Sequence, residues 1–263
     1  MIHMPVSDNF IRLLGRYSEG LRLAAQHGPR SAVLFEYAYE NTPNGHGTVG
    51  RWIDRTFLSL WGWNGIRQRI QTTKELLTEI VAQRRTVGQT SNILDVASGT
   101  ARYLRELVHE QGSSDLTIAC RDRDPRQVMY GRELVQSEHL RDFSFSVGDA
   151  TDGSSYLTDI DPDIILAVGL FPYLREDVAV RRIMQLAFQH LKPGGCFICT
   201  TLKEPHGRLP HWEADALIAP PAMRSPQTIA DWLASAGFIH VAQRASQPNG
   251  YTLISWKPDH AAA

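Results

Sequence analysis

Ile93-Leu94-Asp95-Val96-Ala97-Ser98-Gly99-Thr100-Ala101 is the stretch that decides the fold. A short apolar run passes into small residues, and Ala101–Glu110 behind it reads as a helix. The unit is therefore strand, tight turn, helix. Small side chains let a ligand approach the backbone, and the first turn of a helix offers N–H groups without intrahelical partners. Asp95, at the strand end, is placed to accept from the turn or from a ligand ammonium.

The same alternation continues outward from this stretch. Strands are predicted at Ile93–Ala97, Leu116–Cys120, Phe143–Val147, Asp163–Val168, Cys196–Leu202, Phe238–Ala242 and Thr252–Trp256. Helices are predicted at Ala101–Glu110, Pro125–Glu138, Asp177–Leu191 and Pro226–Ala236. Pro125 and Pro226 suit first-turn positions, and Gly194, Gly195 and Gly237 are stop signals. Strands alternating with helices predict an α/β domain with a mostly parallel sheet and helices on both faces.

The acids after the first turn fall at strand ends. Asp122 follows Gly99 by 23 residues, where a carboxylate can take both hydroxyls of a ribose. Arg121-Asp122-Arg123-Asp124-Pro125 leads into the next helix. Asp149-Ala150 follows the third strand, where an acid can accept from an adenine amino group. Val168-Gly169-Leu170-Phe171-Pro172-Tyr173 ends the fourth strand and sets apolar and aromatic groups beside a reacting centre. Leu191-Lys192-Pro193-Gly194-Gly195 turns from helix to strand. Any one acid also fits a helix cap or solvated turn; the series in one βα register is what points to a nucleoside ligand.

ILDVASGTARYL, ACRDRDP, VGDA and LKPGG resemble the class I S-adenosylmethionine-dependent methyltransferases over Ser91–Lys257. That resemblance implies a Rossmann-like, seven-stranded, mostly parallel sheet. It also implies S-adenosylmethionine as cosubstrate or sole substrate, held by Asp95, Ala97, Ser98, Gly99, Thr100, Asp122, Arg123, Asp149, Ala150, Gly169 and Leu170. YSEGLRLAAQHG, FEYAYENTP, GRWIDR with GWNGIRQR, GLFPYLREDVAVRR and AMRSPQTIADWLASAGF carry a narrower resemblance, to the family named putative methyltransferase, whose members are sometimes fused to an α/β-hydrolase. The glycine loop departs from the usual Asp-x-Gly-x-Gly-x-Gly, because Ala97 and Ala101 replace the first and third glycines. A methyl group is tolerated there if neither position needs φ > 0. The dinucleotide pattern Gly-x-Gly-x-x-Gly is absent.

Residues 7–86 read as mainly helical, with a turn at Asn41–Gly45 and a break at Trp61–Gly65. Residues 1–90 are expected to form a helical lid, and residues 91–263 the ligand-binding domain. Tyr17, Tyr37, Tyr39, Trp52, Trp61 and Trp63 are candidate rings, since aromatic faces attract a sulfonium as they do an ammonium. Tyr39 and Tyr173 are the predicted catalytic rings. Arg67 and Arg69 are candidates for a carboxylate.

The chain has 263 residues, 43% of them hydrophobic, with a net charge of −1, which excludes the electrostatic footprint of a general nucleic-acid binder. Residues 1–90 carry eleven Lys/Arg against seven Asp/Glu, and the rest is net acidic. No metal site is expected, because Cys196-x-x-Cys199 lies in a predicted buried strand where residues three apart face opposite sides. The expected setting is cytoplasmic, without a signal peptide or membrane insertion, and the expected partner is a small molecule. Oligomeric state is open. Three activities fit: methyl transfer to a small acceptor, natural-product intermediates included; intramolecular cyclisation of S-adenosylmethionine to azetidine-2-carboxylate with release of methylthioadenosine; and a non-catalytic S-adenosylmethionine-binding module. His206 and His211 are candidates for a base.

Overall fold

The computed structural model describes residues 14–28, 31–203, 221–246 and 250–259. The chain divides into two compact units, Met1–Arg67 with Pro205–Pro221, and Gln68–Glu204 with Ala222–Ala263. The boundary at Arg67 falls inside a helix, whereas the division expected at residues 90/91 is where the sheet begins.

In the first unit, α1 (Glu19–His27), α2 (Ala32–Glu40) and α3 (Gly47–Leu58) precede α4 (Trp61–Thr86). Ser18 and Ser31 cap α1 and α2 by accepting from the N–H groups of Leu21 and Leu34. Leu23, Leu34, Tyr37, Phe57, Leu58, Trp63 and Ile66 form the core. The buried carboxylate of Asp54 accepts from the hydroxyls of Ser18 and Tyr37, at 2.5 Å each, and from the N–H groups of Gly20 and Asn44, at 3.1 Å each. The predicted break at Trp61–Gly65 is instead the first turn and a half of α4. Glycine in a helix costs about 1 kcal/mol relative to alanine. Burial of Trp63 and Ile66 offsets that cost at Gly62 and Gly65.

The second unit holds β1 (Ser91–Asp95), α5 (Arg102–Gln111), β2 (Leu116–Asp122), α6 (Pro125–Ser137), β3 (Phe143–Val147), β4 (Ile164–Ala167), α7 (Asp177–His190), β5 (Cys196–Leu202), α8 (Pro226–Ser235), β6 (Ile239–Ser246) and β7 (Gly250–Trp256). As the sequence predicts, Pro125 and Pro226 stand in first turns, capped by Asp124 and Ser225. The seven-stranded sheet has the order β3-β2-β1-β4-β5-β7-β6. β7 runs antiparallel to β5 and β6, and the other neighbours are parallel.

Alternation along each strand makes two cores. Ile93, Ile118, Ile164, Cys196 and Ile198 face α4, α5 and α6 through Leu77, Val81, Leu104, Leu107 and Val128. Leu94, Ile165, Phe197 and Cys199 face α7 and α8 through Val180, Ile183, Met184, Ile229 and Leu233. The two cysteines of Cys196-x-x-Cys199 thus lie in opposite cores, as the strand period requires. From β1 the chain winds outward through β2 and β3, then crosses back to β4 and β5. The order reverses between β1 and β4, and in open α/β sheets ligands usually sit outside the carboxyl ends of the strands at such a reversal. Among the described residues, no helix is long and apolar enough to cross a membrane.

Candidate active site

Asp95 ends β1 with no solvent exposure. Its Oδ1 accepts from the Ala97 N–H at 3.1 Å, and its Oδ2 accepts from the Tyr103 hydroxyl on α5. Burial pushes its carboxyl up to about 7, against the lowering effect of those two hydrogen bonds; the charge of Asp122 adds to the rise. The loop is then stitched to β2, since the Ser98 N–H donates to the Arg121 carbonyl at 2.9 Å.

Gly99 is left-handed, at φ 53°. A side-chain carbon there would meet only Gln127 Oε1, at 3.6 Å, so the backbone is open to a ligand. Ala101 also has a positive φ, 54°. The tolerance expected of an alanine without that demand therefore does not describe this position. The left-handed conformation costs alanine about 1–2 kcal/mol, and packing of its methyl in the α5-side core offsets part of it. Ala97 is not among the residues with positive φ.

Asp122 ends β2. Its Oδ2 accepts from the Gly99 N–H and its Oδ1 from the Asp124 N–H, both at 2.9 Å. A carboxylate has about four acceptor sites, so this arrangement leaves capacity for a vicinal diol. Burial raises its pKa, and the two N–H groups counter the rise. After β3, Asp149 Oδ1 accepts from the Thr151 N–H at 2.8 Å and hydroxyl at 2.7 Å, which hold the carboxyl below its usual range. Arg123 is exposed, and its charge favours the ionised forms of both Asp122 and Asp149. The Ala150 carbonyl accepts from the buried Tyr156 hydroxyl at 2.9 Å.

After β4, the Gly169 N–H donates to the Thr200 hydroxyl oxygen of β5 at 2.7 Å. Leu170 packs on the α7-side core. A single 3-10 turn, Phe171–Tyr173, follows, and the Tyr173 N–H donates to the Leu170 carbonyl at 2.9 Å. Asp95, Ala97, Ser98, Gly99, Thr100, Asp122, Arg123, Asp149, Ala150, Gly169, Leu170 and Tyr173 thus gather at the carboxyl ends of four adjacent strands.

Tyr39 and Arg67 belong to the first unit. Tyr39 is half-buried and stacks on Phe35, with ring centroids 6.3 Å apart. Arg67 donates to the carbonyls of Ala38 at 2.8 Å and Leu58 at 2.7 Å, and to Asn64. Within that unit it ties α2 and α3 to α4. His206 and His211 lie outside the described residues. Tyr103 and Thr200 were not predicted as site residues; their only sequence signal is a hydroxyl at a position whose neighbours are core. Among the described residues, no group of three or more His, Cys, Asp or Glu is placed to hold a metal.

The fold, with its acids at successive strand ends, is that of the class I S-adenosylmethionine-dependent methyltransferases. The sequence matches the family described as "putative methyltransferase" over residues 3–252, and the chain belongs to that family. It is similar to YnbC of Escherichia coli (strain K12), an uncharacterized protein: 30% identical over 194 residues, covering 72% of this chain and 33% of that protein. The chain thus spans about a third of that relative's length. A possible exported protein from Bordetella parapertussis shares the fold at a TM-score of 0.74, with 19% identity over 93% of this chain and 85% of that one. Magnesium protoporphyrin IX methyltransferase from Synechocystis PCC 6803, solved with bound S-adenosylhomocysteine, shares it at 0.57, with 11% identity over 75% of this chain and 88% of that one.

Proposed function

We propose that this protein transfers a methyl group from S-adenosylmethionine to a small-molecule acceptor. The observation that carries the reading is Asp122: a carboxylate at the end of β2, held by the Gly99 and Asp124 N–H groups, beside an open glycine backbone. In this reading Asp122 takes the ribose hydroxyls and Asp149 the adenine edge, with Ala150 backing the ring. The Ala97–Thr100 loop takes the methionyl end, and the buried Asp95 supports that loop from behind through the Ala97 N–H rather than meeting the ligand itself. S-adenosylmethionine supplies an electrophilic methyl on a sulfonium. The chain's part is to align the acceptor with it and to keep water out. Gly169 and Leu170 lie on the cofactor's side of this loop, while Tyr173 is on the acceptor side and offers a ring face for positive charge. An acceptor already unprotonated needs no base from the protein.

The test is mass spectrometry of the full chain incubated with S-adenosylmethionine, alone and with pooled small acceptors. S-adenosylhomocysteine released only with an acceptor supports the reading. Methylthioadenosine released without one would replace it with cyclisation. Tight S-adenosylhomocysteine binding without turnover of either kind would leave a non-catalytic binding module.

A further inference from the structure

We infer that Arg224 is a positioning residue that sets the acceptor-side half of the loop joining β4 to α7. This inference rests on the methyltransferase reading, which assigns that half of the loop to the acceptor.

Arg224 is buried, with 7% of its surface exposed. Its main chain is tied to the end of β5. Its N–H donates to the Leu202 carbonyl at 2.9 Å, and its carbonyl accepts from the Thr201 hydroxyl at 2.9 Å. From that anchor the guanidinium reaches the loop. Nη1 donates to the Phe171 carbonyl at 3.0 Å, Nη2 to the carbonyls of Leu174 at 2.8 Å and Arg175 at 3.2 Å, and Nε to Asp177 Oδ1 at 2.8 Å. The guanidinium carbon also lies 5.9 Å from the ring centre of Trp232. One further backbone bond, Ala222 N–H to the Pro172 carbonyl at 2.8 Å, runs beside the clamp.

The loop is therefore held at two separate points. Thr200 fixes its near end through the Gly169 N–H, on the side of the cofactor loop. Arg224 fixes its far end, from Phe171 to the first turn of α7, where Tyr173 sits. A guanidinium is suited to this task, because its planar fork spreads donors over three nitrogens and meets carbonyls at separate points of an irregular segment, whereas an ammonium gathers its three donors on one atom. The two anchors share no bond. Losing one should affect acceptor placement, and losing the other should affect cofactor binding.

Hydrogen exchange by mass spectrometry, with S-adenosylhomocysteine affinity by calorimetry, tests this on the full chain. In Arg224→Gln, the amides of Tyr173 and Leu174 are expected to exchange at least about tenfold faster, while the affinity for S-adenosylhomocysteine stays within about threefold. Pooled-acceptor turnover should fall at least about tenfold with an unchanged KM for S-adenosylmethionine, and Arg224→Lys should recover part of it. Thr200→Val should do the reverse, weakening S-adenosylhomocysteine while those amides stay protected. Unchanged exchange in Arg224→Gln, faster exchange spread through β1 to β5, or a matching loss of S-adenosylhomocysteine affinity would each overturn the assignment. Should Arg224→Gln not fold, Arg224→Lys decides: it keeps the charge but loses the fork, and unchanged exchange at Tyr173 and Leu174 would overturn the clamp. If the wild type turns nothing over, the methyl-transfer reading fails, while the exchange and affinity results still judge the anchor.

Discussion

The hydroxyl of Tyr103 donates to the carboxylate of Asp95, and both side chains are buried where β1 turns into α5. The pair links stability to pH. The folded-state pKa of Asp95 is raised by burial to about 7 from an ordinary value of 3.8. The folded protein therefore holds this proton more tightly than the unfolded chain. Its contribution is fully present below the unfolded pKa and is lost as pH rises toward 7. Urea unfolding at pH 5 and pH 8 is expected to show the wild type losing stability relative to Asp95→Asn, with a slope of at most about 1.4 kcal/mol per pH unit. Asp122, whose pKa is also raised, adds the same sign in both proteins. Parallel pH profiles for the two would count against a buried, titrating Asp95.

Tyr103→Phe removes the donor and keeps the ring. The hydrogen bond lowers the pKa of Asp95, so its loss raises that pKa further. The expected destabilisation is about 1.5–3 kcal/mol, the worth of a hydrogen bond to a charged group. It should be larger at pH 8, where the carboxylate is ionised, than at pH 5. Equal losses at the two pH values would show that the hydroxyl's contribution does not depend on the charge of Asp95.

Asp122→Ala should leave a folded protein that binds S-adenosylhomocysteine at least about tenfold more weakly, since a charge-assisted hydrogen bond contributes about 1.5–3 kcal/mol. Calorimetry measures this directly. An unchanged affinity would remove Asp122 from the ribose.

Asp149 is exposed, and its carboxyl sits below the usual range. If it meets the adenine edge, Asp149→Ala should weaken S-adenosylmethionine and S-adenosylhomocysteine by the same factor, because both carry adenosine. A loss confined to one ligand would place it elsewhere.

Ala101→Gly tests the left-handed alanine. Relief of about 1–2 kcal/mol of backbone cost is opposed by about 0.4–1 kcal/mol from the freer unfolded chain. A lost buried methyl opposes it by about 0.8 kcal/mol more. The net change by thermal unfolding is expected within about 1 kcal/mol of zero. A large destabilisation would mean that the methyl's packing dominates.

The strand period and the turn residues were legible from the start. Asp122, Asp149 and Gly169 could be placed at strand ends because each follows a short apolar run, and Asp122 and Gly169 also precede a predicted helix. The same local reading put a break at Trp61–Gly65, because glycine and asparagine weigh against a helix. Only packing into the first unit's core shows why α4 runs through them. Ala101 is similar, since no residue near it in sequence announces a positive φ.

What the sequence determined by itself is the alternation of elements, the first-turn prolines at Pro125 and Pro226, and the acids at successive strand ends. These follow from periods of two and 3.6 residues and from turn chemistry, which act over a few positions. The tertiary structure decided which partner each long or buried polar side chain takes. Asp95 found Tyr103 across a turn, Gly169 found Thr200 across the sheet, and Arg224 closed on carbonyls about fifty positions earlier in the chain. A buried donor or acceptor must be satisfied, but the chain alone does not say by whom. That choice is made by whichever groups the sheet order brings within about 3 Å of one another.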